Sequence, residues 1–363
     1  MAKDVPHLLT YLSGHGFGHV SQVAPVLNLL REQCPELRLT VCSTAPLAQL
    51  QARITGDFLH INEAADFGMV MASALDVLPA ESFAEYQQWH SDWPILVRRE
   101  AEKITALKPD FVLTNVAYLP LAAAQQLGIP CAAMSSLNWA DIFAAYCDEM
   151  VGSAGTLAQI RAAYEGAGAF LRITPAMPMS DLENAKTVAP IAKVGVNRRD
   201  AINAKLGLAK DEKLVLVSMG GMALRFPMER WPQMEGVRWL VQVDWQVSRP
   251  DVTSLESLQM EFIDVLASCD VLLCKPGYGS FAEAACNGIP ALYVAREDWP
   301  EEPILIAWLE EYGLCRKVPR HSLERGSFEL ELQELMSLPK PMPVKPLGIQ
   351  QATDYLAVYL DQT

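Results

Sequence analysis

The sequence predicts an α/β protein of two domains, each a parallel sheet covered by helices on both faces, the two facing a cleft. Three observations carry this expectation. Short apolar runs alternate with stretches of helical period along most of the chain. A rhythm of strand, glycine turn and helix opens near Leu8 and starts afresh near Lys213. The 363 residues also exceed the length at which one core usually stops growing.

The first strand is expected over 8–13 and ends in the turn Gly14-His15-Gly16-Phe17-Gly18-His19. Val20, Val23, Leu27 and Leu30 then keep a helical spacing. A second strand over 37–42, a helix over 46–54 and a strand over 58–61 follow, whereas 66–79 has no period and reads as a loop. The stretch 81–107 reads as helix interrupted by Pro94. A strand over 110–113 leads to Asn115, a helix covers 118–127, and a strand beginning near Ile129 ends at Ser135 and Ser136. A helix over 154–167 and a strand over 169–173 complete an N-terminal domain of 1–195. The polar, basic stretch 196–212 reads as a linker.

A C-terminal domain is expected over 213–340. It opens with a strand and glycine turn in 213–221, a strand over 239–243 and a helix over 256–267. A buried strand over 271–274 is then cut by Lys275-Pro276-Gly277, and Ser280 is placed to cap a helix over 281–287. Gly288 and Pro290 stop that helix before a strand over 289–294. Helices over 303–312 and 327–337, a proline-rich turn and an amphipathic helix over 349–360, within a closing segment 341–363, end the chain.

Composition narrows the function. A formal net charge of −14 argues against a nucleic-acid or anionic-membrane surface. The eight cysteines form no CxxC pair and several lie in apolar runs, which reads as buried free thiols in a reducing cytosol. The start lacks a signal-peptide pattern and no apolar segment is long enough to span a bilayer. A cytoplasmic protein without a transmembrane segment is expected, with peripheral membrane contact left open.

The turn SGHGFGH is not a dinucleotide fingerprint, because His19 stands three beyond Gly16 and Cys42-Ser43-Thr44, not an acid, end the second strand. A P-loop is absent. What the turn offers is two imidazoles, His15 and His19, at the carboxyl end of a strand, where either could take a proton at neutral pH or simply pack against the turn. His7, His60, His90 and His321 are scattered and no HExxH or cysteine cluster exists, so no metal is expected. In the second half, Gly220 and Gly221, and then Gly277, Tyr278, Gly279 and Ser280, allow backbone N–H groups to approach a phosphate; an ordinary strand–turn–helix connection is the plain alternative. Glu283, about a helical turn on, can accept hydrogen bonds from the vicinal hydroxyls of a ribose, or face solvent. Arg296, Glu297, Asp298 and Glu302 are candidates for reading sugar hydroxyls, or a charged loop rimmed by Trp299. Asn115, Ser136, Asn138 and Trp139, with Gly16 and Phe17, are candidates for an acceptor pocket.

These residues together resemble the two-domain nucleotide-sugar glycosyltransferases of the GT-B fold, near the branch that adds N-acetylglucosamine to lipid I in peptidoglycan synthesis. They also resemble glycosyltransferase-like proteins carrying the same HGFGH turn and REDWPEEP segment. The stretch 275–290 carries most of the resemblance and SGHGFGH the rest. It implies two Rossmann-like domains, with a final helix crossing back to the N-terminal one. A UDP- or dTDP-sugar co-substrate would be held by the C-terminal domain, and an unidentified acceptor would lie against the N-terminal one. By the same resemblance the turn 277–280 takes the diphosphate, Glu283 the ribose, and His19 sits at the reacting centre of an inverting, metal-independent transfer with no other cofactor. Glu301 and Glu302 stand where the family has an Asp-Gln pair, and Val20-Ser21-Gln22 displace its early proline. Nucleotide-sugar hydrolysis, 2-epimerisation through Glu297, Asp298 and Glu301, and non-catalytic nucleotide-sugar binding are the rival readings.

Overall fold

The apolar runs become strands of two parallel sheets. The structure, a computed structural model, describes residues 5–14, 17–73, 76–220, 225–296 and 298–360, with only the backbone at Phe17. By packing, the chain divides into a first unit of Met1–Ile191 with Leu347–Thr363 and a second of Ala192–Pro346.

In the first unit the strands are β1 (His7–Leu12), β2 (Arg38–Cys42), β3 (Leu59–Ile61), β4 (Phe111–Asn115), β5 (Cys131–Ser135), β6 (Ala169–Ile173) and β7 (Ala185–Val188). They lie in the order β3-β2-β1-β4-β5-β6-β7, each neighbour parallel. Most of the crossovers carry helices: α1 (Phe17–Gln33), α2 (Leu47–Gln51), α3 (Pro79–Ser91), α4 (Trp93–Leu107), α5 (Leu119–Leu127), α6 (Trp139–Cys147) and α7 (Ser153–Glu165). The central strands are buried on both faces, Leu8, Leu9, Val112 and Leu113 among them, which is why they read as unbroken apolar runs. From β1 the chain winds outward through β2 and β3, and β4 restarts it on β1's other side. The switch point therefore lies between β1 and β4.

The second unit repeats the plan with β8 (Lys213–Ser218), β9 (Val237–Val241), β10 (Val252–Ser254), β11 (Val271–Cys274), β12 (Ala291–Tyr293) and β13 (Cys315–Lys317), in the order β10-β9-β8-β11-β12-β13. Its helices are α8 (Arg199–Leu206), α9 (Phe262–Ser268), α10 (Tyr278–Asn287), α11 (Glu302–Tyr312), α12 (Arg320–Arg325) and α13 (Glu329–Ser337), and its switch point lies between β8 and β11. Phe328 packs edge to face with Trp231 and Trp239 in its core, and the two indoles tilt against each other. The last helix, α14 (Gly348–Leu360), belongs to the first unit, where it packs on α1 and β7. Gly348 allows that return, because a Cβ there would lie 1.9 Å from the Ala189 carbonyl oxygen.

Several elements differ from expectation. The helix after β11 begins at Tyr278, so Ser280 sits inside its first turn and Gly277 takes the N-cap position; burial of Tyr278 draws that turn into the helix. α8 lies within the stretch read as linker, and α6 follows directly on Asn138. The stretch 81–107 is two helices, with Pro94 in the first turn of the second, where its missing N–H costs nothing. Among the described residues no helix is long and apolar enough to cross a membrane, and all eight cysteines are free.

Candidate functional site

Each sheet carries a polar group of residues at the carboxyl edge of its switch point, and the two groups differ. In the first unit the Ser13 backbone N–H donates to the Asn115 carbonyl at 3.1 Å, tying the ends of β1 and β4 together. His19, in the first turn of α1, is buried with its Nδ1 2.7 Å from Asn115 Oδ1. Asn115 Nδ2 donates to Gln22 Oε1 at 2.8 Å and to the Met134 carbonyl at 2.6 Å, and Gln22 Nε2 donates to Ser136 Oγ at 2.8 Å. Burial holds the His19 imidazole down at about 4, against the pull of the Asn115 hydrogen bond, so it is uncharged at neutral pH.

Beside this chain lies Asp66, buried, accepting from Ser13 Oγ and from Trp139 Nε1, each at 2.8 Å. Burial raises its carboxyl to about 6 against those two hydrogen bonds. The Trp139 and His19 ring centroids are 6.2 Å apart. Asn138 spends its side chain on the start of α6, accepting from the Asp141 N–H at 2.8 Å and donating to Asp141 Oδ2 at 2.9 Å. Val116 follows Asn115 at φ 87°, a strained value for a β-branched residue, and its carbonyl accepts from the Tyr164 hydroxyl at 2.5 Å.

Structure thus brings together His19, Asn115, Ser136 and Trp139 of the expected residues, and adds Gln22 and Asp66. Gln22 was findable, since it stands one turn beyond His19 on the same helix face. Asp66 carried no local signal, because it comes from the aperiodic stretch and meets Trp139 across 73 residues. His15 and Gly16 lie outside the described residues, as do the Phe17 side chain, Gly221 and Glu297.

In the second unit β8 and β11 run side by side to Ser218 and Cys274. Gly220 follows at φ 81°, and a Cβ there would come within 3.1 Å of Lys275 Cε, so the lysine stem lies across that glycine. Lys275 is mostly buried, and no hydrogen bond or ion pair to its ammonium occurs among the described residues. Burial, with the neighbouring Arg296, pushes it down to about 8. Gly277 brings no side chain to cap the first N–H groups of α10, so Gly279 and Ser280 sit in an uncapped first turn. Glu283 is buried rather than solvent-facing.

Arg296 and Glu302 meet each other. Arg296 Nε donates to Glu302 Oε1 and its backbone N–H to Oε2, each at 2.8 Å, with the guanidinium 4.5 Å from the Trp299 ring. Burial pushes the Glu302 carboxyl up to about 7 against Arg296. Asp298 is exposed. Among the described residues there is no group of three or more His, Cys, Asp or Glu side chains able to hold a metal ion.

No family model matches the chain. It is 27% identical over 346 residues to an L-arabinokinase of Arabidopsis thaliana, covering 90% of this chain and 32% of that protein. The chain thus spans about a third of the length of that relative. Among solved structures it resembles CalG4, the calicheamicin glycosyltransferase, with a TM-score of 0.66, 15% identity and 99% of both chains covered. It also resembles MurG of Acinetobacter baumannii (0.55, 14%, 99% of this chain and 100% of that one) and a UDP-GlcNAc 2-epimerase of Neisseria meningitidis bound to UDP-GlcNAc (0.55, 14%, 98% and 100%). These likenesses show the fold: two parallel-sheet domains with a returning C-terminal helix, the GT-B architecture. They do not set MurG nearer than CalG4.

Proposed function

We propose that the chain moves a sugar from a nucleotide diphosphate sugar, a UDP-sugar first, to an acceptor hydroxyl, with inversion at the anomeric carbon. One observation carries this reading: a buried, uncharged His19 stands at the switch point of a GT-B sheet, where ligands of open α/β sheets bind. His19 removes the acceptor proton, with His15 as the second candidate, and Asn115, Ser136, Asn138 and Trp139 shape that side with Gly16 and Phe17. In the second unit Gly220, Gly221 and the turn 277–280 hold the diphosphate, and Lys275 joins them. A mostly buried ammonium with no partner among the described residues is stabilised by an anion, and charge growing on a departing diphosphate supplies one. Glu283 takes the ribose hydroxyls. Asp298 and Glu297 read the sugar, and the Arg296–Glu302 pair sets the floor beneath it.

The test is a thermal shift with UDP, dTDP and GDP, followed by sugar variants of the best nucleotide. UDP-L-arabinose belongs in that series because of the likeness to part of an L-arabinokinase. UDP is expected to raise Tm; no response to any nucleotide would sink the reading.

A second reading, 2-epimerisation or hydrolysis of the nucleotide sugar, is favoured by Glu302 near 7 beside Lys275 near 8, an acid and a base brought close to neutral pH. Proton NMR of a UDP-sugar with the protein and no acceptor separates the readings. A new sugar isomer means epimerisation, free nucleotide means hydrolysis, and an unchanged donor that reacts only with acceptor present means transfer.

A further inference from the structure

The hydrogen bonds around His19 have only one consistent direction, and it starts at a backbone carbonyl. The Met134 oxygen can only accept, so the Asn115 atom facing it at 2.6 Å is the amide nitrogen. That nitrogen's other hydrogen goes to Gln22 Oε1, which turns Gln22 Nε2 toward Ser136 Oγ. Asn115 Oδ1 is therefore the atom 2.7 Å from His19 Nδ1, and an amide oxygen only accepts. The strained Val116 backbone, held through its carbonyl by Tyr164, fixes the chain immediately after Asn115.

We infer that Asn115, anchored by Met134 and Gln22, is a positioning residue that holds His19 in the Nδ1–H tautomer and so leaves its only lone pair on Nε2. The inference deepens the glycosyl-transfer reading and rests on it for its functional meaning. In a neutral imidazole one nitrogen donates and the other accepts, so the partner of Nδ1 decides which nitrogen can take a proton. Asn115 makes that choice without a charge. Of the ionisable side chains on the elements packed against α1, β1 brings His7 and Tyr11, β5 brings Cys131, and α14 brings Asp354, Tyr355 and Tyr359. The nearby Asp66 is engaged by Ser13 and Trp139. None of these bonds to His19, so an imidazolium formed in the reaction would face an amide dipole and not a carboxylate, and would return its proton readily.

The experiment is 15N-histidine NMR of the full chain, with the His19 signal assigned by His19→Gln. The expected result is a protonated Nδ1 and an unprotonated Nε2 above pH 6. Asn115→Ala should let the Nε2–H form appear, and should lower kcat at least about tenfold with KM for the donor little changed. Gln22→Leu, which leaves Met134 holding Asn115, should keep the Nδ1–H form. A wild-type ring carrying its proton on Nε2 overturns the inference, and so does an Asn115→Ala ring unchanged in tautomer. Should Asn115→Ala fail to fold, the wild-type and Gln22→Leu spectra decide alone. Because the spectra need neither donor nor acceptor, a failed tautomer and a failed transfer assay are separate outcomes.

Discussion

The two switch points are built from the same plan of strand, turn and helix, yet one is a closed hydrogen-bonded network and the other an open cation. Around His19 the side chains of the network are engaged: Asn115 in three hydrogen bonds, Gln22 in two, Asp66 in two. Around Lys275, among the described residues, the Arg296–Glu302 ion pair leaves the ammonium aside. Burial acts on both, but with opposite chemical consequences. It keeps an imidazole uncharged and able to take a proton, and it leaves an ammonium in want of a counter-ion. Topology puts functional groups at the sheet edge; which chemistry they can do follows from how far their partners have already satisfied them.

The sharpest way to test that contrast is His19→Ala. It should reduce turnover about 10²–10⁴-fold while leaving UDP affinity near wild type; a loss of nucleotide binding instead would erase the distinction between the two sites. Next in size is Arg296→Met, which keeps the stem against Trp299 but strands Glu302 as a buried acid. A loss of about 3–5 kcal/mol is expected where Glu302 is ionised. Since its folded pKa is raised, the penalty should fade as pH falls through about 7, and a Tm series across pH reads it directly.

Lys275→Met should weaken UDP binding by about 1.5–3 kcal/mol, the worth of a charged hydrogen bond. With the free lysine near 8, wild-type affinity should decline as pH rises past that value, whereas the variant's should stay flat in calorimetry. The smallest effect concerns stability around His19. Its depressed pKa makes stability fall as pH drops from 6.5 toward 4, whereas Asp66, raised to about 6 from 3.8, makes stability fall as pH rises over nearly the same window. The two slopes oppose each other, so the wild type should be nearly flat there. His19→Gln should uncover the Asp66 slope, a loss of about 1–2 kcal/mol between pH 4 and 6 in denaturant titrations.

Much of the architecture was legible because buried parallel strands are continuous apolar runs; β1, β4, β8 and β11 were each placed within about two residues. Three of the four edge strands were not, whereas β3 was expected over 58–61 and runs Leu59–Ile61. β7, β10 and β13 are exposed in part and only three or four residues long, so they show neither an apolar run nor a clear alternation. α6, WADIFAAYC, was missed for a different reason: its outward positions, Asp141, Ala144, Ala145 and Tyr146, carry a single charge, so it shows little polar face. At the candidate site, His19 and Asn115 could be named from their places at strand ends. Lys275 was visible only as punctuation beside Pro276, and its meaning depends on Gly220, 55 positions earlier, lying under its stem. Arg296 and Glu302 were named for sugar, but a sequence cannot show that two charged residues six apart have already found each other.

The return of α14 to the first unit has a consequence in time. A ribosome releases the chain from its amino end, so β1 to β7 emerge first, yet the surface of α1 that α14 covers stays bare until residues 348–360 appear. The second unit, whose stretch is continuous, can finish folding while the first still waits. The first unit is thus begun first and completed last, and a chain cut after Pro346 would hold all of the second unit but lack the helix that covers α1.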